Sequence, residues 1–327
     1  MTTEQHLITV AGTGSGKSRD MLYHSMLSHN AGLIGFDTKG ELARTCVERR
    51  KAFAGFQCLD PFNKSGLSYT HHWNPLGEID PASPTARADL KRMAAAITPK
   101  EKGERAVDVH FREIPQKIIR GYLAHILTTY PKEQQHLGTL YDLFVMGEAD
   151  GDEFNPEGVE AVIGDMAKNN ALGGSPAEAA AILSVLSDRD RSAHYTTISR
   201  SLDWVNDPSM RPMITNTTVR GGVSLRSVKT KDSSVFVVIP EKYLEEQSRF
   251  LRLFYTMAFD LLDEHETKQK EGSKKRCLFI FDEFETMGTF EPARQAALRK
   301  RSSYIKCHFI VQNYDQFNAN YSNLQDF

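Results

Sequence analysis

The sequence predicts an α/β domain, with a mainly parallel sheet around a phosphate-binding loop and a large all-α insertion. Three observations carry that expectation. A short β-branched run, HLITVA (6–11), ends directly in a glycine loop that a helical stretch follows. Strand-like runs then alternate with helical ones over the first 80 residues, and strand signal returns only from residue 233. In between, from about Pro84 to Arg226, helical periodicity dominates and strand signal is almost absent.

The elements follow in order. Ser18 to Ser28 reads as a helix with Met21, Leu22, Met26 and Leu27 on its apolar face. GLIGFD (32–37) is a second buried strand, and QCLDPF (57–62) a third, ended by proline. In the middle block, Ile114–Tyr130 places Ile118, Ile119, Tyr122, Leu123, Ile126 and Leu127 at helical spacing. Pro176–Leu186 is rich in alanine, and His194–Val205 is a further candidate helix. Gly-, Asn- and Asp-rich segments at 147–156 and 168–175 separate these helices. SSVFVVIP (233–240) restores the strand signal. A long amphipathic helix follows near 245–267, with Leu251, Phe254, Met257, Ala258, Leu261 and Leu262 on one side. KQKEGSKK (268–275) is a solvated loop, and CLFIFDEF (277–284) and CHFIVQN (307–313) are two more buried strands. The domain organisation is therefore 1–84 as the first part of a nucleotide-binding domain, 85–228 as the all-α insertion, and 229–327 as the second part.

Composition narrows the function classes. The 327 residues are 40% hydrophobic and 25% charged, ordinary for a globular chain with a substantial core. A formal net charge of −2 gives no global pull toward nucleic acid or anionic membrane, so any DNA contact has to be local. Cys46, Cys58, Cys277 and Cys307 form no close pair and no C-x-x-C, which predicts reduced, packed thiols and no structural zinc. No apolar run approaches the roughly 20 residues of a membrane helix, and no secretory signal opens the chain. A soluble, cytoplasmic polypeptide is expected.

Two motifs carry the chemistry. Ala11 to Ser18 reads A-G-T-G-S-G-K-S, the phosphate-loop pattern G-x-x-x-x-G-K-[ST] with alanine at its first position. Gly12, Gly14 and Gly16 allow close backbone approach. The N–H groups of Gly12, Thr13, Gly14, Ser15 and Gly16 can cradle phosphate oxygens. Lys17 reaches the β and γ phosphates of ATP, and the Ser18 hydroxyl ligates Mg2+. Such a loop requires an apolar strand that ends in acid, and LFIFDEF supplies Asp282 for the metal and Glu283 to polarise the attacking water. An acid pair there argues for hydrolysis rather than a static switch. Asp282 lies 265 residues after Lys17, an excess that the helical insertion accounts for.

Other features stay open on the residues alone. Arg301, in LRKRSSYIK, is a candidate arginine finger, although spacing alone favours a basic surface loop. Gln312 ends a strand and reads equally as a γ-phosphate sensor or a strand-end hydrogen bond. Asp37, Lys39 and Glu41 read equally as nucleotide-site lining or a loop salt-bridge cluster. Arg220, Arg226, Lys229 and Lys231 could touch DNA phosphates, but the segment reads better as a solvated loop. His71, His72 and Trp73 read as the packing of a turn rather than a metal or stacking site.

Taken together, AGTGSGKS (11–18), FDTKGELA (36–43), CLDPF (58–62), HWNPLGEI (72–79), LFIFDEFETMG (278–288), RKRSSYIK (299–306) and IVQNYDQF (310–317) resemble the type IV coupling proteins. These are the TraG-like conjugative DNA-transfer ATPases within the FtsK/HerA group of RecA-fold motors. SLDWVNDPSM (201–210) and VFVVIPEKYL (235–244) resemble the family's exit from its helical insertion. The resemblance implies a RecA-like fold and a homo-hexamer with ATP and Mg2+ between subunits, coupling hydrolysis to DNA translocation. It also implies Arg301 as the finger acting on the neighbouring subunit and Gln312 as the sensor. The all-α insertion is expected to meet relaxosome or effector proteins, with secretion-channel components as further partners. The place of work is the cytoplasmic face of the inner membrane. Family members carry membrane helices before the phosphate loop and further strands and helices after the sensor strand; the expectation is that this chain lacks both. One alternative is an ATP-dependent adaptor that docks protein effectors without pumping DNA. Another is a soluble relative in chromosome segregation.

Overall fold

The computed structural model describes residues 6–12, 16, 21–68, 71–98, 108–147, 155–267, 276–299, 304–313, 315, 317, 318 and 321. It divides into two compact units, residues 72–222 and the remainder of the chain.

In the first unit the chain runs β1 (Leu7–Val10), α1 (Tyr23–Ser28), β2 (Gly32–Asp37), α2 (Glu41–Phe53) and β3 (Phe56–Leu59). It is completed after the second unit, whose helices are α3 (Ala86–Ile97), α4 (Asp108–Thr129), α5 (Leu137–Tyr141), α6 (Pro156–Lys168), α7 (Ala171–Val185), α8 (Asp188–Leu202) and α9 (Arg211–Thr215). The completing elements are α10 (Leu225–Thr230), β4 (Ser234–Val238), α11 (Ser248–Thr267), β5 (Cys277–Phe281), α12 (Glu291–Arg299) and β6 (Ile305–Val311). The described strands form one sheet in the order β1-β6-β5-β2-β4-β3, with every pair parallel. The α/β reading with an all-α insertion therefore holds.

A parallel sheet is covered on both faces, and its strands read as continuous apolar runs for that reason. β2, β4 and β5 are buried at every position. Alternation divides each strand between two cores. Leu33, Phe236, Val238, Leu278, Ile280 and Ile310 pack with Leu42, Cys46 and Val47 of α2. On the other face an aromatic cluster packs against α11. Phe259 of α11 stacks on Phe279 at 4.5 Å, Tyr255 lies 4.9 Å from Phe281, and Phe281 stacks on Phe309 at 5.3 Å. All four cysteines are buried as free thiols, and burial pushes Cys46 and Cys277 up to about 12.

At the amino edge of the sheet, Arg50 of α2 is almost wholly buried. It donates to Ser234 Oγ at 2.9 Å and to the carbonyls of His29, Ala31 and Asp232 at 2.5, 2.8 and 3.1 Å. One guanidinium thus gathers the starts of β2 and β4. Lys229 corrects the reading of 219–231 as a solvated loop. Residues 225–230 are helical, and the buried Lys229 ammonium donates to the Leu262 carbonyl of α11 at 2.9 Å.

The helical unit begins at His72, where the sequence grouped residues 72–84 with the first part of the nucleotide-binding domain. Its backbone explains the difference. Trp73 N–H donates to Met213 O, and Asn74 Nδ2 donates to Gln135 O, both within this unit. Residues 223–228, grouped by sequence with the insertion, cluster with the sheet unit. α4 and α7 cross closely at Gly121, where an added Cβ would lie 2.2 Å from Ala179 Cβ. Arg211 donates one guanidinium nitrogen, Nη2, to both oxygens of the buried Asp142 carboxylate, at 2.8 Å to Oδ1 and 2.6 Å to Oδ2. Asn155 and Ser187 cap α6 and α8 by accepting from the N–H of Gly158 and Asp190. His72 bonds Thr218 O at 2.8 Å and Trp73 is fully buried, so both pack as expected; in the sheet unit, His71 Nδ1 accepts from Cys58 N–H.

Two outcomes follow from this core. Tyr255 is fully buried, and its hydroxyl has no hydrogen-bond partner among the described residues. Tyr255→Phe removes that stranded group and should raise stability by about 1 kcal/mol, read as a higher denaturant midpoint. The second outcome concerns pH. Burial lowers His308 to about 4, where its ring bonds Thr9 Oγ1 at 2.8 Å, and lowers His29 to about 4 as well. A base with a depressed folded pKa stabilises fully above its unfolded value and loses that contribution as pH falls from 6.5 toward 4. His308 alone should cost about 2 kcal/mol between pH 7 and pH 5, and His308→Gln should flatten the pH dependence of the unfolding midpoint in that window.

Candidate active site

Parallel strands bring their carboxyl ends to one edge, the usual place for ligands in open α/β sheets. Four strand ends meet there in register. Phe36 of β2 pairs with Phe281 of β5, Phe281 pairs with Phe309 of β6, and Val10 of β1 pairs with Val311 of β6. β6 therefore lies between the strand that leads into the glycine loop and the strand that ends in the acid pair. Ala11 N–H donates to Val311 O at 3.0 Å, which fixes the entry to the glycine loop against β6. Gly16 has φ +82°, and an added Cβ at Gly12 would meet nothing within 4 Å. Thr13, Gly14, Ser15, Lys17, Ser18 and Arg301 lie outside the described residues.

Asp282 and Glu283 follow β5 directly, and both are buried. Asp282 N–H donates to Phe36 O at 3.4 Å, extending the ladder past the strand. Glu283 is in the left-handed region, with φ 51° and ψ 48°, a conformation that costs a side-chain-bearing residue on the order of 1 kcal/mol. Thr286 offsets it by donating its N–H and its hydroxyl to Glu283 O at 2.9 and 2.7 Å.

The Glu283 carboxylate gathers the site. Thr38 Oγ1 donates to Oε2 at 3.0 Å, Lys39 Nζ to Oε1 at 2.6 Å, and Gln312 Nε2 to Oε1 at 3.0 Å. Gln312 N–H also donates to Glu285 Oε1 at 2.7 Å. The hydrogen bond to Glu283 raises Lys39 above the ordinary lysine value. The structure thus joins Glu283 to Gln312, and it divides the 37–41 cluster that the sequence left open. Lys39 belongs to the site. Asp37 turns the other way: its carboxylate accepts from the N–H groups of Lys39, Gly40 and Ala43 at 3.0, 2.7 and 3.0 Å and shapes the start of α2. Burial raises Asp37 against the pull of those donors. Glu41 is exposed in the first turn of α2. Thr38 and Glu285 carry no signal of their own in the sequence beyond lying at strand ends beside residues already singled out.

The donor set fits a magnesium-nucleotide site. Mg2+ is held by one or two carboxylates plus phosphates rather than by a protein cage. Asp282, buried at the end of β5, would supply such a carboxylate.

A sequence profile described as type IV secretory system conjugative DNA transfer matches residues 2–325. Protein VirD4 of Agrobacterium fabrum is 24% identical over 322 residues, covering 95% of this chain and 43% of that protein. Conjugal transfer protein TraG of Escherichia coli is 23% identical over 339 residues, covering 96% of this chain and 49% of that protein. The chain thus spans less than half the length of these relatives. Among solved structures, the unbound conjugative coupling protein TrwBdeltaN70 matches with a TM-score of 0.67 at 16% identity, over 99% of this chain and 65% of that one. The plasmid coupling protein TrwB in complex with ADP and Mg2+ matches with a TM-score of 0.65 at 15% identity, over 97% of this chain and 66% of that one. These likenesses support the RecA-like fold. No described helix is long and apolar enough to cross a membrane.

The turn that presents Thr38 and Lys39 depends on Gly40. Its φ is +72°, and an added Cβ would lie 2.6 Å from Ser65 Cα. Gly40→Ala should therefore destabilise the protein by at least about 1 kcal/mol, measured by chemical denaturation.

Proposed function

The chain belongs to the type IV secretory system conjugative DNA transfer family, and from that membership we propose that it is an ATP-hydrolysing motor subunit coupling nucleotide turnover to DNA transfer. The observation that carries the reading is the meeting of three adjacent strand ends at the carboxyl edge of the sheet, with Gln312 bonded to Glu283. The strand leading into the phosphate loop, the strand ending in Gln312 and the strand ending in Asp282–Glu283 stand side by side with their carboxyl ends together. That arrangement suits an NTPase that must place a triphosphate, a metal and a water within one small volume.

In this reading the glycine loop from Gly12 to Ser18 cradles the phosphates of ATP, with Lys17 on the β and γ oxygens. Ser18 and Asp282 hold Mg2+, which when bound spreads and neutralises phosphate charge. Glu283 orients the attacking water and takes its proton as the water oxygen bonds to the γ phosphorus and ADP leaves. Gln312 reports the state of the γ phosphate to Glu283 through their shared hydrogen bond. Arg301 supplies charge to a neighbouring subunit, so the active unit holds more than one copy, and the family resemblance implies a homo-hexamer. The helical unit is the surface for relaxosome or effector proteins. Work takes place at the cytoplasmic face of the inner membrane, beside the secretion channel. A bound ADP and Mg2+ in a structural relative of the same fold supports the choice of cofactors.

The test is ATP turnover with and without single- and double-stranded DNA across protein concentration. Turnover should rise with DNA, rise cooperatively with protein and weaken with salt. Lys17→Ala should abolish it. Glu283→Gln should keep nucleotide affinity while turnover falls by at least about 100-fold. Turnover that responds to effector proteins and ignores DNA would favour an adaptor over a motor, and full turnover in Lys17→Ala would refute the site.

A further inference from the structure

Thr38, Lys39 and Gln312 all reach the Glu283 carboxylate, but Lys39 differs from the other two. Thr38 is buried, and Gln312 is tied at its backbone to Glu285. The Lys39 side chain is 50% exposed, whereas that of Glu283 is 3% exposed. A solvent-facing ammonium on a flexible stem thus reaches inward to a buried carboxylate. It sits in the turn between β2 and α2, whose backbone is fixed by Asp37 and Gly40 and not by the ion pair. The contact can exchange without any strand moving.

Its geometry also opposes the chemistry required of Glu283. A carboxylate oxygen offers two lone-pair positions. Oε1 already accepts from Lys39 at 2.6 Å and from Gln312 at 3.0 Å, and Oε2 accepts from Thr38 at 3.0 Å. Oε1 has no position left for water, whereas Oε2 keeps one, so a water is held by both oxygens only after a donor leaves Oε1; of its two donors, Lys39 is the one on a solvent-facing, flexible stem.

We infer that Lys39 is a restraint on Glu283, holding the carboxylate off water until a phosphate oxygen at the same sheet edge draws the ammonium away. The inference rests on the reading of Glu283 as the general base. The phosphate has two sources, the nucleotide itself or the backbone of DNA, and the test separates them. Lys39 in this role is a positioning residue, acting on the reaction only through Glu283.

The experiment compares wild type, Lys39→Met, Lys39→Arg, Glu283→Gln and the Lys39→Met/Glu283→Gln double variant. ATP turnover is measured with and without DNA, and fluorescent-ADP affinity and melting temperature are measured separately. Lys39→Met should raise DNA-free kcat about tenfold with KM and ADP affinity unchanged; its melting temperature should fall modestly, because the buried carboxylate loses one donor, and Lys39→Arg should restore both the low rate and the melting temperature. If DNA then adds little, DNA phosphate is the releasing anion. If DNA still stimulates by the wild-type factor, DNA acts elsewhere and the nucleotide releases Lys39 only as the γ phosphate is transferred, so that the restraint still lowers kcat. An unchanged or lowered kcat in Lys39→Met overturns the restraint. Failure of the underlying reading looks different: Glu283→Gln would turn over like wild type, and the double variant like Lys39→Met.

Discussion

A buried carboxylate is tolerated only where donors replace the water it has lost, and the Glu283 carboxylate sets that requirement for this fold. It sits in the turn after β5, in a strained left-handed backbone, with its side chain almost wholly excluded from solvent. The donors come from β2 and β6, the strands on either side, through Thr38, Lys39 and Gln312. The carboxyl edge of the sheet is therefore bound together by one acidic group. Movement at any of the three strand ends changes the surroundings of that group.

The rest of the sheet unit holds this edge rigid. The aromatic layer formed by Tyr255, Phe259, Phe279, Phe281 and Phe309 fixes β5 and β6 against α11. The aliphatic layer fixes β2, β4 and β5 against α2. Arg50 ties the opposite edge, away from the site. A core packed on both faces of the sheet lets a group bound at the carboxyl edge change its contacts there without deforming the core. The long helical unit between β3 and β4 leaves this order undisturbed: strand pairing on either side of it is continuous, with β3 and β4 adjacent in the sheet.

Much of this was legible in the sequence, for reasons that are local. Strands buried on both faces read as apolar runs, so GLIGFD, SSVFVVIP and CLFIFDEF were visible at once, and the acids that close the last of them stood out. What was not legible depended on distance along the chain. Lys39 and Glu283 are 244 residues apart, and nothing in DTKGEL distinguishes a lysine that meets the acid pair from one in a surface ion pair. Lys229 misled in the opposite sense: its neighbours Arg226 and Lys231 suggest a solvated basic run, but its partner is a carbonyl 33 residues downstream. The division at residue 72 leaves no pattern in the local sequence, because the anchors of residues 73 and 74 are backbone groups of Met213 and Gln135.

The carboxyl edge shared by β1, β6 and β5 is the proposed place of ATP binding and hydrolysis. The most direct test is a structure of the protein with a non-hydrolysable ATP analogue and Mg2+. The triphosphate should lie against the glycine loop, with the metal beside Asp282 and Glu283 turned toward the outer side of the γ phosphate. A nucleotide bound elsewhere on the chain, or one at this edge with Asp282 and Glu283 both directed away from it, would contradict the account.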